Sequence, residues 1–129
     1  MIIVDVNILL YATLPGDNSE ACARLAQADP DWFAPKLWQH EFANVLATYE
    51  RQAGLSREDS LAAYQDALDL VHTHENDIPI ERVLMVAKKF GCSGYDAQYV
   101  ALAEDLGIPM YTYDKKLLAA TPSITRKPE

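Results

Sequence analysis

Apolar runs of three to six residues alternate along this chain with longer segments of helical periodicity. The runs predict strands at 2–6, 32–34 and 108–113, and a shorter pattern at 70–71 is compatible with one more. In the longer segments, apolar residues recur three and four positions apart, which is typical of helices with one buried face. One helical segment begins at Ile8, and the others cover 19–28, 37–52, 56–70, 80–90, 94–106 and 114–120. Strands separated by helices imply parallel pairing with helices on both faces of one sheet, so the predicted fold class is α/β.

Polar residues and glycines mark the ends of several predicted elements. Asn7 is placed to cap the helix that begins at Ile8, and Ser93 to cap the helix that runs to Leu106. Gly91 and Gly107 are expected to end helices. We expect 72–77 to be a polar connection, and the tail from about residue 121, with two prolines and mixed charge, to be loose.

Length and composition favour one domain covering residues 1–129. Half of the 129 residues are hydrophobic, enough for a buried core. There is no apolar stretch of about 18 residues and no export signal, so we expect no membrane span and a cytoplasmic location. The two cysteines, Cys22 and Cys92, are few and far apart, so both are expected to be reduced.

The formal net charge of −8 argues against a tight, general binder of nucleic acid. Bound divalent cations would offset some of that charge, and seven of the eleven basic residues lie from Arg82 onward. Weak RNA affinity or a basic partner protein fits this balance better.

Four acidic residues occupy positions where a carboxylate is unusual. Asp5 follows the apolar run Ile2-Ile3-Val4, and Asp114 follows the last predicted strand. Glu41 flanks the apolar stripe of its helix, and Asp96 opens another helix on its buried face. Moving a carboxylate out of water costs several kcal/mol unless a cation or donor satisfies it. Because sites in parallel sheets form beyond the carboxyl ends of the strands, these acids are expected to meet at one divalent cation site.

Each acid also has a purely structural interpretation. Asp5 could cap a helix or close a turn, although Asn7 is better placed for that role. Glu41 could be an ordinary surface glutamate. Asp96 could complete a capping box with Ser93, and Asp114 could cap the final helix. The four structural readings would all have to hold together, which weakens them as a set.

Hard cations such as Mg²⁺ and Mn²⁺ favour carboxylate oxygens and water. Hydrolysis of a phosphodiester with such ions requires several acids from different elements, and this chain supplies four. Asn44, near Glu41, and Thr112, two residues before Asp114, could support ligands. The pattern His72-x-His74 is a much weaker metal signal, and a surface or core role is favoured for His40.

With these residues in view, the chain resembles a PIN domain, and among PIN domains the small VapC-type toxins of toxin–antitoxin pairs. Four segments carry the resemblance, and they occur in the family's order. They are IVDVNIL at 3–9, EFANVL at 41–46, SGYDAQYVALA at 93–103 and TYDKKL at 112–117. Each motif is loose alone, but the set of four is specific and covers essentially the whole chain.

The resemblance implies a PIN-like three-layer α/β/α sandwich on a mostly parallel sheet. It implies a Mg²⁺- or Mn²⁺-dependent endoribonuclease that acts on RNA, forms a homodimer and is silenced by a cognate antitoxin. Carried over by motif, the metal-site acids would be Asp5, Glu41, Asp96 and Asp114, of which Asp114 occupies the family's less dependable position. Asn7 and Thr112 would hold these acids in position without binding the metal themselves. The acidic net charge departs from what broad RNA binding would need.

Three other functions compete with this one. A non-catalytic binding module could keep the fold without turnover. A phosphatase with an aspartate nucleophile would want a second acid two residues after Asp5, where this chain has Asn7. A phospho-receiver domain would want a lysine at the end of its last strand, where Tyr113 and Asp114 stand.

Overall fold

The computed structural model describes all residues from 1 to 129 and contains five strands and seven helices. In chain order these are β1 (Ile2–Val4), α1 (Val6–Thr13), α2 (Ser19–Ala28), β2 (Trp32–Pro35), α3 (Leu37–Gln52), α4 (Arg57–Leu70), β3 (Val71–His74), α5 (Ile80–Phe90), α6 (Gly94–Leu106), β4 (Met110–Tyr111), α7 (Lys115–Ala120) and β5 (Thr125–Arg126). No helix is both long enough and apolar enough to cross a membrane.

The five strands form one parallel sheet in the order β3-β2-β1-β4-β5. From β1 the chain adds β2 and then β3 on one side of β1. It then crosses back and adds β4 and β5 on the other side. Since crossovers between parallel strands are right-handed, the two directions of travel place their helices on opposite faces. Accordingly, α1 contacts α2, α3 and α4, whereas α5 packs on α6 and α6 crosses β1, β2 and β4. The predicted α/β/α sandwich with a parallel sheet is confirmed.

The core lies on both faces of β1, whose three residues are all buried. The largest fully buried side chains include Trp32, Trp38, Phe42 and Tyr99. The Trp38 and Phe42 rings meet edge to face with 5.7 Å between centroids, and the Trp38 indole donates a 2.8 Å hydrogen bond to a threonine hydroxyl on β3. Burying each such side chain contributes roughly 1.5–3 kcal/mol, which holds α3 and α6 firmly against the sheet.

The first strand and the turn that follows it differ from the prediction. Strand β1 ends at Val4 rather than at residue 6, and α1 begins at once. The N-cap of α1 is Asp5 and not Asn7, because the Asp5 Oδ1 atom accepts the Ile8 main-chain N–H at 3.0 Å. The prediction that Asn7 caps this helix was therefore wrong. The other predicted caps and stops are confirmed at Ser93, Gly91 and Gly107.

Two further segments were predicted incorrectly. The polar connection begins later than expected, since Val71–His74 pairs with β2 as a full edge strand. The tail from residue 121 is not loose: β5 pairs with β4, and the buried hydroxyls of Thr121 and Thr125 bond to each other at 3.2 Å. Both cysteines are free, as predicted, although Cys92 lies between α5 and α6 rather than on a helix.

Candidate metal centre

Asp5 and Asp114 lie beyond the carboxyl ends of two neighbouring strands. Strand β1 leads into Asp5 and strand β4 leads toward Asp114, and the Asp5 main-chain N–H donates to the Tyr111 carbonyl at 3.3 Å. Each aspartate is the N-cap of the helix that follows it, so the predicted capping role of Asp114 is also present. Capping and a functional role are compatible, because the cap uses only the Oδ1 atom of each carboxylate.

Thr112 connects these two positions. Its fully buried hydroxyl donates to the Asp5 Oδ2 atom at 2.5 Å and accepts the Asp114 main-chain N–H at 3.0 Å. Together with the Ile8 N–H, this bond fixes both oxygens of Asp5. The carboxylate is therefore held in one orientation by neutral donors and by no cation.

Asp96 is placed by the first turn of α6. The Ser93 hydroxyl caps the helix by accepting the Asp96 main-chain N–H at 3.0 Å, and a hydrogen bond with Ser93 also favours the charged form of the Asp96 carboxyl. Asp96 and Asp114 line one small cavity of about 190 Å³ together with Lys116, between the start of α6 and α7. The helix N-terminus stabilises negative charge here, but a second carboxylate opposes it.

Glu41 reaches the same region from α3. Its Oε1 atom accepts a 2.7 Å hydrogen bond from the hydroxyl of Tyr99 on α6, across 58 residues of sequence. The Tyr99 ring is almost fully buried between these helices. The sequence alone does not single out Tyr99. Its spacing of three from Asp96 put it on the right face, but nothing in the sequence pairs it with Glu41.

The charges of these acids act on one another. Burial raises the pKa of Asp5 to about 6, and the charge of Asp96 adds to the rise against the hydrogen bonds from Thr112 and Ile8. Burial, followed by the charge of Asp96, also raises the pKa of Glu41. The pKa of Asp96 is raised by burial and then by the charge of Asp114. No ion pair in the structure involves any of the four acids, so their charge is uncompensated by the protein.

The donor chemistry fits a hard divalent cation. Four carboxylates from four different elements influence one another electrostatically, and no basic side chain pairs with them. Oxygen ligands of this kind are those that Mg²⁺ and Mn²⁺ prefer. As the side chains stand, no three His, Cys, Asp or Glu residues converge closely enough to enclose an ion. The residues therefore fit such a cation by the chemistry of their oxygens, which would have to lie closer together to coordinate it.

The remaining predicted residues have more ordinary surroundings. The Asn7 side chain is exposed, although its main-chain N–H helps to lower the pKa of Asp5. Asn44 is exposed on α3. His72 packs on Phe33 with 5.1 Å between ring centroids, and the Nδ1 atom of His74 lies 3.0 Å from the Asn76 carbonyl oxygen. The histidine pair forms no metal cluster.

Comparisons with known proteins agree with this arrangement. The model of the PIN domain family matches residues 2–122. Ribonuclease VapC3 of Pyrobaculum aerophilum is 28% identical over 127 residues, which cover 95% of this chain and 96% of that protein. Exonuclease VapC9 of the same organism is 36% identical over 73 residues, or 55% of each chain. Among solved structures, a toxin–antitoxin complex from Klebsiella pneumoniae superposes with a TM-score of 0.70 at 18% identity, covering 100% of this chain and 98% of the other.

Proposed function

The chain belongs to the PIN domain family, and on that premise we propose that it is a metal-dependent endoribonuclease, the toxin of a toxin–antitoxin pair. The single observation that carries the proposal is the group of four carboxylates near the ends of β1 and β4, none of which forms an ion pair. Within it, the charge of Asp96 raises the pKa of Asp5 and of Glu41, and the charge of Asp114 raises the pKa of Asp96. A relative that spans nearly the whole chain is named a ribonuclease, and this supports nuclease chemistry over other uses of a cation.

Asp5 and Asp96 are assigned as the principal metal ligands, with Glu41 and Asp114 completing the site. Mg²⁺ or Mn²⁺ bound there would supply a Lewis acid that polarises the scissile phosphate and lowers the pKa of a bound water. Thr112 orients Asp5 and ties it to the turn that carries Asp114. Tyr99 fixes the Glu41 carboxylate by its hydrogen bond. Asn7 supports the Asp5 turn through its main chain.

The raised pKa of Asp5 is consistent with a site whose charge is balanced by a bound cation. A carboxyl with a pKa of about 6 holds its proton in mildly acidic solution, and a cation must displace that proton to bind. We therefore expect cation affinity to increase with pH up to about neutrality.

The proposal includes partners and organisation. A similar fold occurs in a protein whose structure was solved as a toxin–antitoxin complex, which supports a cognate antitoxin as partner here. We also propose a homodimer, a single PIN-like domain over residues 1–129, an RNA substrate and a location in the cytoplasm, without attachment to a membrane.

The decisive experiment is cleavage of a covalently closed circular RNA and its linear form by the purified protein, with Mg²⁺, with Mn²⁺ and with EDTA. An endonuclease opens the circle, whereas an exonuclease degrades only the linear RNA, and one relative is named an exonuclease. Asp5→Asn and Asp96→Asn should cleave neither substrate. Asp66→Asn is the matched control, because Asp66 is exposed on α4 and has no hydrogen bond or ion pair.

The outcomes separate the competing functions. Opening of the circle that needs metal and Asp5 supports the proposal, and degradation of the linear RNA alone replaces it with an exonuclease. If the protein binds metal yet cleaves no RNA, the non-catalytic binding module becomes the better conclusion. Release of phosphate from phosphomonoesters instead would favour the phosphatase, against which Asn7 argues.

A further inference from the structure

A basic cavity lies between α2 and the strands β4 and β5. It has a volume of about 310 Å³ and is lined by three basic side chains, Arg24, Arg126 and Lys127, and by one acid, Glu129. The chain as a whole carries a net charge of −8, so this local excess of positive charge runs against its composition. None of the three basic side chains forms an ion pair within the protein.

The fold explains why these residues meet. Arg126 on β5 is in register with Tyr111 on β4, and its carbonyl accepts the Thr112 main-chain N–H at 3.0 Å. Lys127 follows β5 at its carboxyl end, as Asp5 follows β1. Arg24 projects from α2 toward the same strands. The sequence predicted a loose tail and so did not predict this arrangement. Arg126 and Lys127 are positioned only by the pairing of β5 with β4.

Tyr113 bridges the basic cavity and the acids. Lys127 Nζ lies 5.9 Å from the centroid of the Tyr113 ring, and Tyr113 directly precedes Asp114. The same ring packs edge to face on Tyr11, with 5.4 Å between centroids. The positive charge of the cavity therefore extends to the residue next to the acidic site.

Arg24 already holds an oxygen acceptor. Its Nε and Nη2 atoms donate to the main-chain oxygen of Glu129 at 3.2 and 3.1 Å. The planar guanidinium suits phosphate oxygens equally well, and a phosphate would offer more acceptors and a full negative charge. The contact with Glu129 is exposed, so it can be exchanged for a stronger ligand.

We propose that this cavity binds a backbone phosphate of the RNA next to the one that is cleaved, with Arg24 and Lys127 as its ligands. The inference rests on the proposed ribonuclease function and adds a substrate-positioning surface to it. Arg24 and Lys127 hold the strand across Tyr113 so that the neighbouring phosphodiester lies over the four carboxylates. This surface also explains how an acidic protein can hold a polyanion, since its attraction is local and near the site of cleavage.

The test measures binding separately from cleavage. In an Asp5→Asn background, which prevents loss of substrate, a fluorescein-labelled single-stranded RNA of 12 nucleotides is titrated by anisotropy at several salt concentrations in Mg²⁺. Arg24→Gln and Lys127→Gln should each weaken Kd roughly tenfold and reduce the slope of log K against log salt by about 0.7, the value for one phosphate contact to a single strand. Lys88→Gln is the matched control, because Lys88 is an exposed, unpaired lysine on α5.

A purely structural effect is excluded in two ways. Arg24→Gln also releases the Glu129 contact, whereas Lys127 makes no hydrogen bond and Lys127→Gln removes only its charge and its contact with the Tyr113 ring. In the catalytically intact protein, both changes should raise KM for RNA by a larger factor than they lower kcat.

Failure of the inference and failure of the proposed function give different results. RNA cleavage together with unchanged affinity and salt slope in both variants would overturn the phosphate site alone. Absence of cleavage, with binding that still weakens in both variants, would overturn the nuclease and retain the phosphate site. Binding of an acidic peptide but not of RNA would overturn the RNA assignment of this surface.

Discussion

The Thr112 hydroxyl donates a 2.5 Å hydrogen bond to Oδ2 of Asp5, a residue 107 positions away in the sequence. The same hydroxyl accepts the Asp114 main-chain N–H, so one buried oxygen sets the positions of two proposed ligands relative to each other. An acidic site built on strand ends requires such connections, because each strand by itself fixes only its own carboxylate.

Replacing Thr112 by valine should damage both stability and catalysis. Valine has nearly the same shape but cannot donate to Asp5 or accept from Asp114, so we expect a loss of about 1–3 kcal/mol in the free energy of unfolding. The pKa of Asp5 should rise further, because the Thr112 hydrogen bond lowers it, and the acid limb of the cleavage rate should move to higher pH. Thr112→Ser keeps the hydroxyl and is the control. Equal urea stability and equal pH profiles for the two variants would contradict this role.

Asp5→Asn should remove the loss of stability that the Asp5 charge causes as pH rises in the presence of EDTA. The pKa of Asp5 in the folded protein is about 6, above its ordinary value of 3.8, so between these two pH values the folded state binds more protons than the unfolded state. The free energy of unfolding therefore falls as pH rises through this window, by up to about 3 kcal/mol.

Urea denaturation of the wild type and of Asp5→Asn between pH 4 and pH 7.5 measures this difference. Asparagine does not ionise, so the gap between the two proteins should open with increasing pH and reach its full size near pH 7. Asp66→Asn should differ from the wild type by less than about 0.5 kcal/mol at every pH. A gap that is constant across the range would show that burial does not disfavour the Asp5 charge.

Divalent cations should reverse the destabilising effect of the clustered acids. A ligand that binds only the folded state at 100 times its Kd adds about 2.7 kcal/mol, so Mg²⁺ or Mn²⁺ should raise the Tm of the wild type. The rise should be much smaller in Asp5→Asn and in Asp96→Asn, and it should disappear on addition of EDTA. The same Tm increase in all three proteins would place the cation elsewhere.

Tyr99→Phe should affect cleavage more than folding. It removes only the hydroxyl that donates to Glu41, so a loss of about 1 kcal/mol in stability is expected. The freed Glu41 side chain should lose its orientation, and its pKa should rise, because the Tyr99 hydrogen bond lowers it. The expected result is at least a tenfold drop in kcat at neutral pH. Tyr64→Phe is the control, since the Tyr64 ring packs on Trp38 and Phe42 and its hydroxyl makes no hydrogen bond.

The parts of this structure that depend on local pattern were predictable. The helix from Leu37 to Gln52 and the caps at Ser56 and Ser93 follow from apolar spacing and from short polar side chains at the right positions. The meeting of Asp5 and Asp114 at one edge follows from parallel pairing alone, because parallel strands bring their carboxyl ends together.

The parts that depend on tertiary contacts were not predictable. Strand β3 has the polar sequence Val-His-Thr-His and is a strand because β2 pairs with it. Strand β5 has two residues, and its place comes from β4 and from the Thr121–Thr125 contact. The bond between Tyr99 and Glu41 spans 58 residues and leaves no local trace in the sequence.

The two outer strands of the sheet have a consequence for self-association. Strand β3 is polar, and β5 is two residues long and is followed by Lys127 and Pro128. Short edges with charge and proline resist the addition of a foreign strand, which protects the sheet from growing into aggregates. The sheet therefore ends at five strands, and neither outer strand favours the pairing of a sixth.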